Sequence, residues 1–434
     1  MKLSKVAVCV LAALSAAPSF AADLVEVYNA AQLQDATFAA AQAAQLAGKE
    51  KLTQGRAGLL PTLNLSANST YNDNQYVNNA AYSGSYNSSG YSLVLSQPLF
   101  RQQNWQLYTE SDLQVVMSDA QFKLAQQDLI LRASQAYFDV LMAQDAVRLA
   151  AAQKQAIAEQ LAQAKRNFEV GTATITDTYE AQARFDLVLS QEIVASSNLE
   201  IKQRALQQIT NAEFSTLNPL GKAFDLEAPQ PADIQQWVTQ AQQSSAQVEL
   251  AQAGSEIADK EVSRAFGGHL PTLDLVASYG NTKGKQFGNP YEVTNQAVGV
   301  QLNMPIFQGG ASQSKWREAD ANREKAKQDL ESAKRSVALS ARQSYLGVEN
   351  GIAQVKALQQ ALKSSASLLE ASKLGQAVGV RTNLDVLNAQ QQFYSTERDL
   401  LQAEYGYLMS RLRLKAVAGT LSADDVAGVN LALH

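Results

Sequence analysis

Few side chains in this 434-residue chain are arranged to do bond-breaking chemistry. The two histidines, His269 and His434, have no partner at metal-ligand or triad spacing. Cys9, the single cysteine, lies in the first segment, which leaves the mature chain no thiolate site and no disulfide. No glycine-rich phosphate loop follows a strand, and no nucleophile elbow occurs. The reading is therefore a non-enzyme without metal or cofactor, and any ATP-driven step falls to a partner. What remains is a small polar constellation that occurs twice. Gly379, Thr382, Asp385, Ala389, Gln390 and Phe393 repeat Gly171, Thr174, Asp177, Ala181, Gln182 and Phe185 at an offset of 208 residues. Each copy reads as a helix stop, a short turn and an Asp that caps the next helix. Glycine enters the left-handed C-cap conformation freely, and Asp accepts from the free N–H groups of a first turn. Each copy is thus the tip of a long helical hairpin, and the chain has two tips.

The elements that position these tips follow from pattern. Residues 1–21 read as a secretory signal: Lys2 and Lys5, an apolar run from Val6 to Ala17, then Ser19-Phe20-Ala21. The rest divides into a first repeat, 22–211, an irregular connection, 212–232, a second repeat, 233–417, and an irregular tail, 418–434. Residues 23–58 predict a helix ended by Leu60-Pro61. Two alternating runs follow, Leu63-Leu65-Ala67-Tyr71 and Tyr91-Leu93-Leu95, around a polar loop at 72–90. Pro98-Leu99-Phe100 closes them. A helix from about Gln102 to Phe168 would be roughly 100 Å long. Its seam, Leu113, Met117, Ala120, Leu124, Leu131, Phe138 and Leu141, has heptad spacing. The first tip leads to a returning helix, Asp177 to about Asn211. The programme then repeats. A helix spans 234–266, and strands flank a loop at 280–291. A long helix follows from about Ala311 to Leu374, and after the second tip a helix runs to about Val417.

Each strand run has one apolar face and aromatics near its ends, as membrane β-strands do. Four strands cannot close, and an open edge is not viable in lipid. Three chains would supply 12 strands to one shared barrel. The competing reading is a soluble helical-hairpin protein with two small β-hairpins. The formal net charge of −5 argues against nucleic acid as a partner. No mature stretch approaches the ~20 apolar residues of a transmembrane helix.

The chain resembles the TolC family of outer-membrane channels. The resemblance rests on Leu60-Pro61-Thr62-Leu63 with Leu270-Pro271-Thr272-Leu273, on the junctions Pro98-Leu99-Phe100 and Pro305-Ile306-Phe307, on both tips, and on Gln208-Ile209-Thr210. It implies a mainly α fold with a small β part. In it, long coiled-coil helices form an α-barrel, and each chain gives four strands to a trimeric 12-stranded transmembrane β-barrel. It implies an exit duct for type I secretion and multidrug efflux in the outer membrane of a Gram-negative bacterium, with a long periplasmic part. The implied partners are a periplasmic adaptor (a membrane fusion protein) and an inner-membrane pump of the ABC, RND or MFS class. The alternative of a different class is a periplasmic coiled-coil adaptor or scaffold.

In that family, residues matching Thr176, Asp177, Arg381 and Asp385 hold the periplasmic entrance closed or line its constriction. Three copies of Asp385 would ring the narrow end of a trimeric tube, with Arg381 one turn earlier. The simpler alternative is that Asp385 only caps its helix, as Asp177 does. Two positions depart from the family pattern. Asn388 stands where a second ring aspartate occurs, and Gln376 stands where a tyrosine is bonded in the closed state. One acidic ring instead of two, and a weaker latch, are the expectation. The tips, at Gly171 and Gly379, are the expected adaptor-docking points.

Overall fold

The computed structural model describes residues 21–78, 80–214, 216–221, 225–286 and 289–433. The signal segment apart from Ala21, with Cys9, and His434 lie outside the described residues. The chain forms two compact units. One comprises Met1–Ala41, Lys123–Ser245 and Ser336–His434, and the other comprises Gln42–Phe122 and Ala246–Arg335. The units cut across the two sequence repeats, each of which contributes to both.

The second unit is built on one antiparallel sheet in the order β1-β2-β3-β4, with β1 Thr62–Asn74, β2 Gly84–Phe100, β3 Thr272–Gln286 and β4 Asn289–Asn303. The strands run well into the stretches expected to be loops at 72–90 and 280–291. The reason is a ladder of polar cross-strand pairs that period-two apolar counting does not see. Ser66 bonds Ser92 at 3.0 Å, Asn72 bonds Ser88 at 2.8 Å and Ser85 donates to Asp73 at 2.9 Å. On the other pair, Asn281 donates to Glu292 and Thr294 at 3.0 and 3.1 Å. Pro98, expected at a boundary, lies inside β2. The β1 ladder ends at Thr62 opposite Ser96, so Pro98 breaks no bond on that side, and a register shift follows it against β3. Pro290, expected in a loop, sits near the start of β4, an edge strand.

Helices α1 (Leu24–Gln34) and α2 (Ala36–Ala57) replace the single helix expected over 23–58. Asp35 causes the break. Its N–H still closes α1 on the carbonyl of Ala31, while its carboxylate accepts from Phe38 N–H at 2.7 Å and so starts α2. The second repeat breaks likewise at Ser245, between α5 (Ile234–Ser244) and α6 (Ala246–Phe266). Within the sheet-bearing unit, α2 lies very close to α3 (Gln102–Glu169). A Cβ on Gly48 would fall 2.0 Å from Ser118 Oγ, and one on Gly55 would fall 2.0 Å from Ser111 Oγ. Glycines one heptad apart face serines one heptad apart, and only the missing Cβ atoms allow this approach.

The other unit holds the rest of α3, α4 (Ile175–Thr210), most of α7 (Ala311–Ala377), α8 (Asn383–Val417) and α9 (Ala423–Asn430). The heptad seams point inward. On α4, Ala181, Val188 and Leu206 are buried. On α8, Ala389, Leu400, Ala403, Tyr407 and Leu414 are buried. Tyrosines on these helices satisfy the irregular connection after Thr210. Tyr137 donates to the carbonyls of Asn218 (2.9 Å) and Ala22 (3.3 Å), Tyr407 donates to Glu227 (3.0 Å), and Tyr345 donates to Ala232 (2.6 Å). Single bridges join Ala22 to Leu217 and Leu220 to Leu433. The tail is not irregular throughout. Ser422 N–H donates to Asp425 at 2.9 Å and starts α9, which Asn430 fastens to Asp23 and to the backbone of Leu24, both at 3.0 Å.

Candidate functional site

Both tips have one backbone geometry. At the first, Gly171 has φ +79°, and the N–H groups of Thr172 and Ala173 return to the carbonyl of Asn167 at 2.8 and 3.2 Å. At the second, Gly379 has φ +79°, and the N–H groups of Val380 and Arg381 return to Gly375 at 2.9 and 3.2 Å. Each glycine takes the left-handed conformation that lets the last carbonyls of a long helix be bonded.

The aspartates are not the N-caps. Thr174 and Thr382 are, with Asp177 and Asp385 at the third helical position. Asp385 N–H donates to Thr382 Oγ1 at 3.2 Å. Asp385 Oδ2 accepts from Thr382 N–H at 2.9 Å and from its hydroxyl at 2.8 Å. Asp177 and Thr174 do the same. This is a reciprocal capping box, which satisfies two orphan N–H groups where a lone Asp cap satisfies one. The bonds from Thr382, with a smaller contribution from Arg381, hold the Asp385 carboxyl below its ordinary value.

The tips differ in one respect that bears on function. Arg381 lies in the turn before the cap, outside α8, with Nη1 3.8 Å from Asp385 Oδ1. Its stem lies over Gly375, where a Cβ would fall 2.6 Å from Arg381 Cγ. The matching residue of the first tip is Asn167, and Thr172–Ala173 occupy the matching turn. One tip therefore carries a seated guanidinium beside its carboxylate, and the other has the Asp177 carboxylate with Ala173 in place of the arginine. Gln376 is bonded within its own tip, donating to Asn383 at 3.2 Å.

The hairpins meet along α4 and α8. Leu387 of α8 packs with Ala181 and Val188 of α4 and with Ile157, Leu161 and Ala164 of α3. Beside it, Arg184 donates to Gln391 at 2.6 Å and to Asn388 at 3.1 Å. Val386 and Ala389 face Leu369 of α7 instead. So α8 is shared between both hairpins. Thr176 is exposed on the first turn of α4. The structure thus joins Arg381 to Asp385, leaves Asp177 on its own threonine, and gives Asn388 a partner. Sequence reasoning missed Arg184, Gln391 and Gly375. The departure of Gly375 from Asn167 between the copies was the one readable signal; the Arg184 contact spans 204 residues and left none.

Among the described residues, no group of His, Cys, Asp and Glu could hold a metal. No described helix is long and apolar enough to cross a membrane. The family described as outer membrane efflux protein matches residues 27–212 and 237–420. The chain belongs to that family. This efflux protein is 36% identical over 418 residues to outer membrane protein TolC of Vibrio cholerae, covering 95% of this chain and 94% of that one. It is 34% identical over 418 residues to alkaline protease secretion protein AprF of Pseudomonas aeruginosa, covering 94% and 86%. The solved CmeC outer membrane channel of Campylobacter jejuni has the same fold, with a TM-score of 0.78 at 17% identity, covering 95% and 90%. The efflux protein is accordingly a non-enzymatic exit duct of the outer membrane for secretion and efflux. The scaffold alternative falls with the family match, and the mainly helical fold with four antiparallel strands is as the sequence led us to expect.

Proposed function

We propose that three copies of the chain assemble into one duct, each giving its four strands to a 12-stranded barrel and its two hairpins to a tube. The observation that carries this is the sheet itself. Both β1 and β4 are unpaired edges, and both expose alternate apolar side chains: Leu63, Leu65 and Tyr71 on β1, and Val298, Val300 and Leu302 on β4. Lipid does not tolerate an open strand edge, so the edges must pair with those of other copies. The tips form the periplasmic entrance, where Asp385 and Arg381 line the constriction with Thr176, Asp177 and Asn388. A periplasmic adaptor docks at the turns of Gly171 and Gly379, and an inner-membrane ABC, RND or MFS pump delivers the cargo. The alkaline protease secretion relative, 34% identical over 94% of this chain, supports polypeptide as one cargo class. The test is membrane extraction followed by gel electrophoresis with and without heating. A membrane-bound species of three chain masses that heat converts to one is expected; a soluble monomer overturns the reading.

A further inference from the structure

The sheet contains one hairpin twice, in one register. Leu60-Pro61-Thr62-Leu63 leads into β1 as Leu270-Pro271-Thr272-Leu273 leads into β3. Thr62 pairs with Ser96, which stands two residues before Pro98, and Thr272 pairs with Asn303, which stands two residues before Pro305. The hairpins therefore correspond residue for residue, β1 to β3 and β2 to β4. The correspondence fails at one place. β2 runs on to Phe100, whereas β4 stops at Asn303, short of the matching Phe307. Beyond Ser96, β2 has no partner on β1 and is held by β3 alone, where Phe100 pairs with Leu273. β4 is an edge with no strand on that side. A backbone stays in a ladder only where another strand takes its N–H and carbonyl groups. The stretch that β4 leaves out is apolar, and Ile306 and Phe307 are 93% and 86% exposed.

We propose that β4 pairs with β1 of a neighbouring copy in the register that β2 keeps with β3, and that this pairing extends β4 to Phe307. The proposal rests on the reading of one barrel shared by three copies, and specifies its seam. Three copies of two like hairpins make a ring of six, and a closed barrel needs a fixed stagger from strand to strand. The seam between copies then matches the seam within a copy. Leu95 opposite Ala277 becomes Leu302 opposite Ala67 of the neighbouring copy, and Tyr91 opposite Asn281 becomes Val298 opposite its Tyr71. Gln97 opposite Leu275 becomes Met304 opposite Leu65, and Phe100 opposite Leu273 becomes Phe307 opposite Leu63. Leu63, Leu65, Tyr71, Val298, Met304 and Phe307, all exposed in the single chain, thus cover one another. A glycine supports the same register. Ser92 stands opposite Gly280, where a Cβ on the glycine would fall 3.2 Å from Ser92 Cβ and 2.8 Å from the Tyr91 carbonyl oxygen. The transferred pair is Gly299 opposite Thr70, with the glycine on the other strand, and a Cβ on Gly299 meets no atom within 4 Å in the single chain. In each seam one strand leaves room for a side chain of the other. The corner differs. Arg101 pairs with Asp274 within a copy, and the matching residues, Gln308 and Asn64, carry no charge to the seam between copies.

Cysteine cross-linking of the full chain in membranes tests the register. Opposed residues of an antiparallel pair have Cα atoms about 4.5–5.5 Å apart, inside the disulfide range. A slip of two residues keeps the same face and moves them about 7 Å along the strand. Leu302→Cys with Ala67→Cys in one chain should give covalently linked trimers on oxidation. Within a chain these residues lie on opposite edges of the sheet, so every link joins two copies. Leu302→Cys with Leu65→Cys, or with Ser69→Cys, should link at about a tenth of that yield or less. Cys9 lies in the expected signal segment and adds no thiol to the mature chain. Val300→Cys with Ser69→Cys repeats the test one rung away, in case the first pair does not assemble. A slipped pair that links in preference to Leu302 with Ala67 overturns the register and leaves the shared barrel standing. So does the absence of links in every pair when unheated gels of the reduced variants show trimers. A parent chain that is itself a soluble monomer removes the barrel reading, and the seam with it.

Discussion

Arg101 and Asp274 meet in a forked pair, with Nε donating to one carboxylate oxygen at 2.8 Å and Nη2 to the other at 2.7 Å. Arg101 is the one residue between the end of β2 and the start of α3, and Asp274 is the third residue of β3. The pair thus fixes the corner where strand becomes helix, beside the register shift that follows Pro98. Asp274 is 7% exposed and would be left without its cation by Arg101→Leu. Bonds to charged groups contribute about 1.5–3 kcal/mol. The Arg101 side chain is 41% exposed, so solvent screening favours the low end. Arg101→Leu should therefore lower the temperature at which trimers dissociate on gels. Asp274→Asn should lower it less, because the lone Arg101 can turn to water.

The tip glycines carry a second expectation. A Cβ at Gly171 or Gly379 meets no atom within 4 Å, so a side chain there costs only backbone strain. That strain is about 1–2 kcal/mol for most residues and least for Asn and Asp, which enter this region readily. Gly171→Asn and Gly379→Asn should keep export. Gly171→Trp and Gly379→Trp should abolish it while trimers still form, if the turns are the docking surface. Export assays at matched protein levels check this, and normal export by both Trp variants would remove the tips from the docking site.

Asp385 should set cation preference. Three carboxylates around a narrow axis focus a negative potential, and such rings select cations. Asp385→Asn keeps an acceptor for Thr382 and removes the charge, so reversal potentials should show weaker cation preference with the tip intact. Arg381→Ser should raise conductance. Gly375→Ala should act in the same direction, because its Cβ would expel the Arg381 stem. The pH sign follows from the bonds that Thr382 donates to the carboxylate. The Asp385 pKa is lowered. The charge therefore persists on acidification through the ordinary Asp value of about 3.9 and is lost only below it. Cation preference should hold at pH 5 and vanish only in stronger acid. Loss of preference between pH 7 and 5 would assign selectivity to another group.

Helix α4 has a second apolar line besides its buried seam. Leu187, Val194 and Ile201 lie one heptad apart and are at least half exposed in the isolated chain. A heptad stripe of this kind packs along another helix. Val194→Asp or Ile201→Asp should leave helix content unchanged by circular dichroism and prevent trimer formation. Trimers that form normally with both substitutions would mean that this line faces solvent in the duct.

The sequence by itself determined the periodic parts. Heptad seams marked three of the four long helices, alternation marked the strands, and the recurrence of Gly, Thr and Asp at a fixed offset marked both tips. These signals are local or repeated, so they survive without coordinates. Tertiary structure decided what depends on distant partners. The breaks at Asp35 and Ser245 interrupt helices whose composition is continuous. Asp35 adopts its conformation where Arg132 of α3 forks onto it at 2.9 and 3.1 Å. The sheet extends through Ser- and Asn-rich stretches because polar side chains such as Asn72, Ser85 and Asn281 find partners across the strand. The aspartate at each tip proved to stand at the third helical position of a capping box, since the threonine three positions after the glycine could close the reciprocal bonds. Arg184 was unreadable because its partners lie more than 200 residues away, in a helix that only packing brings alongside.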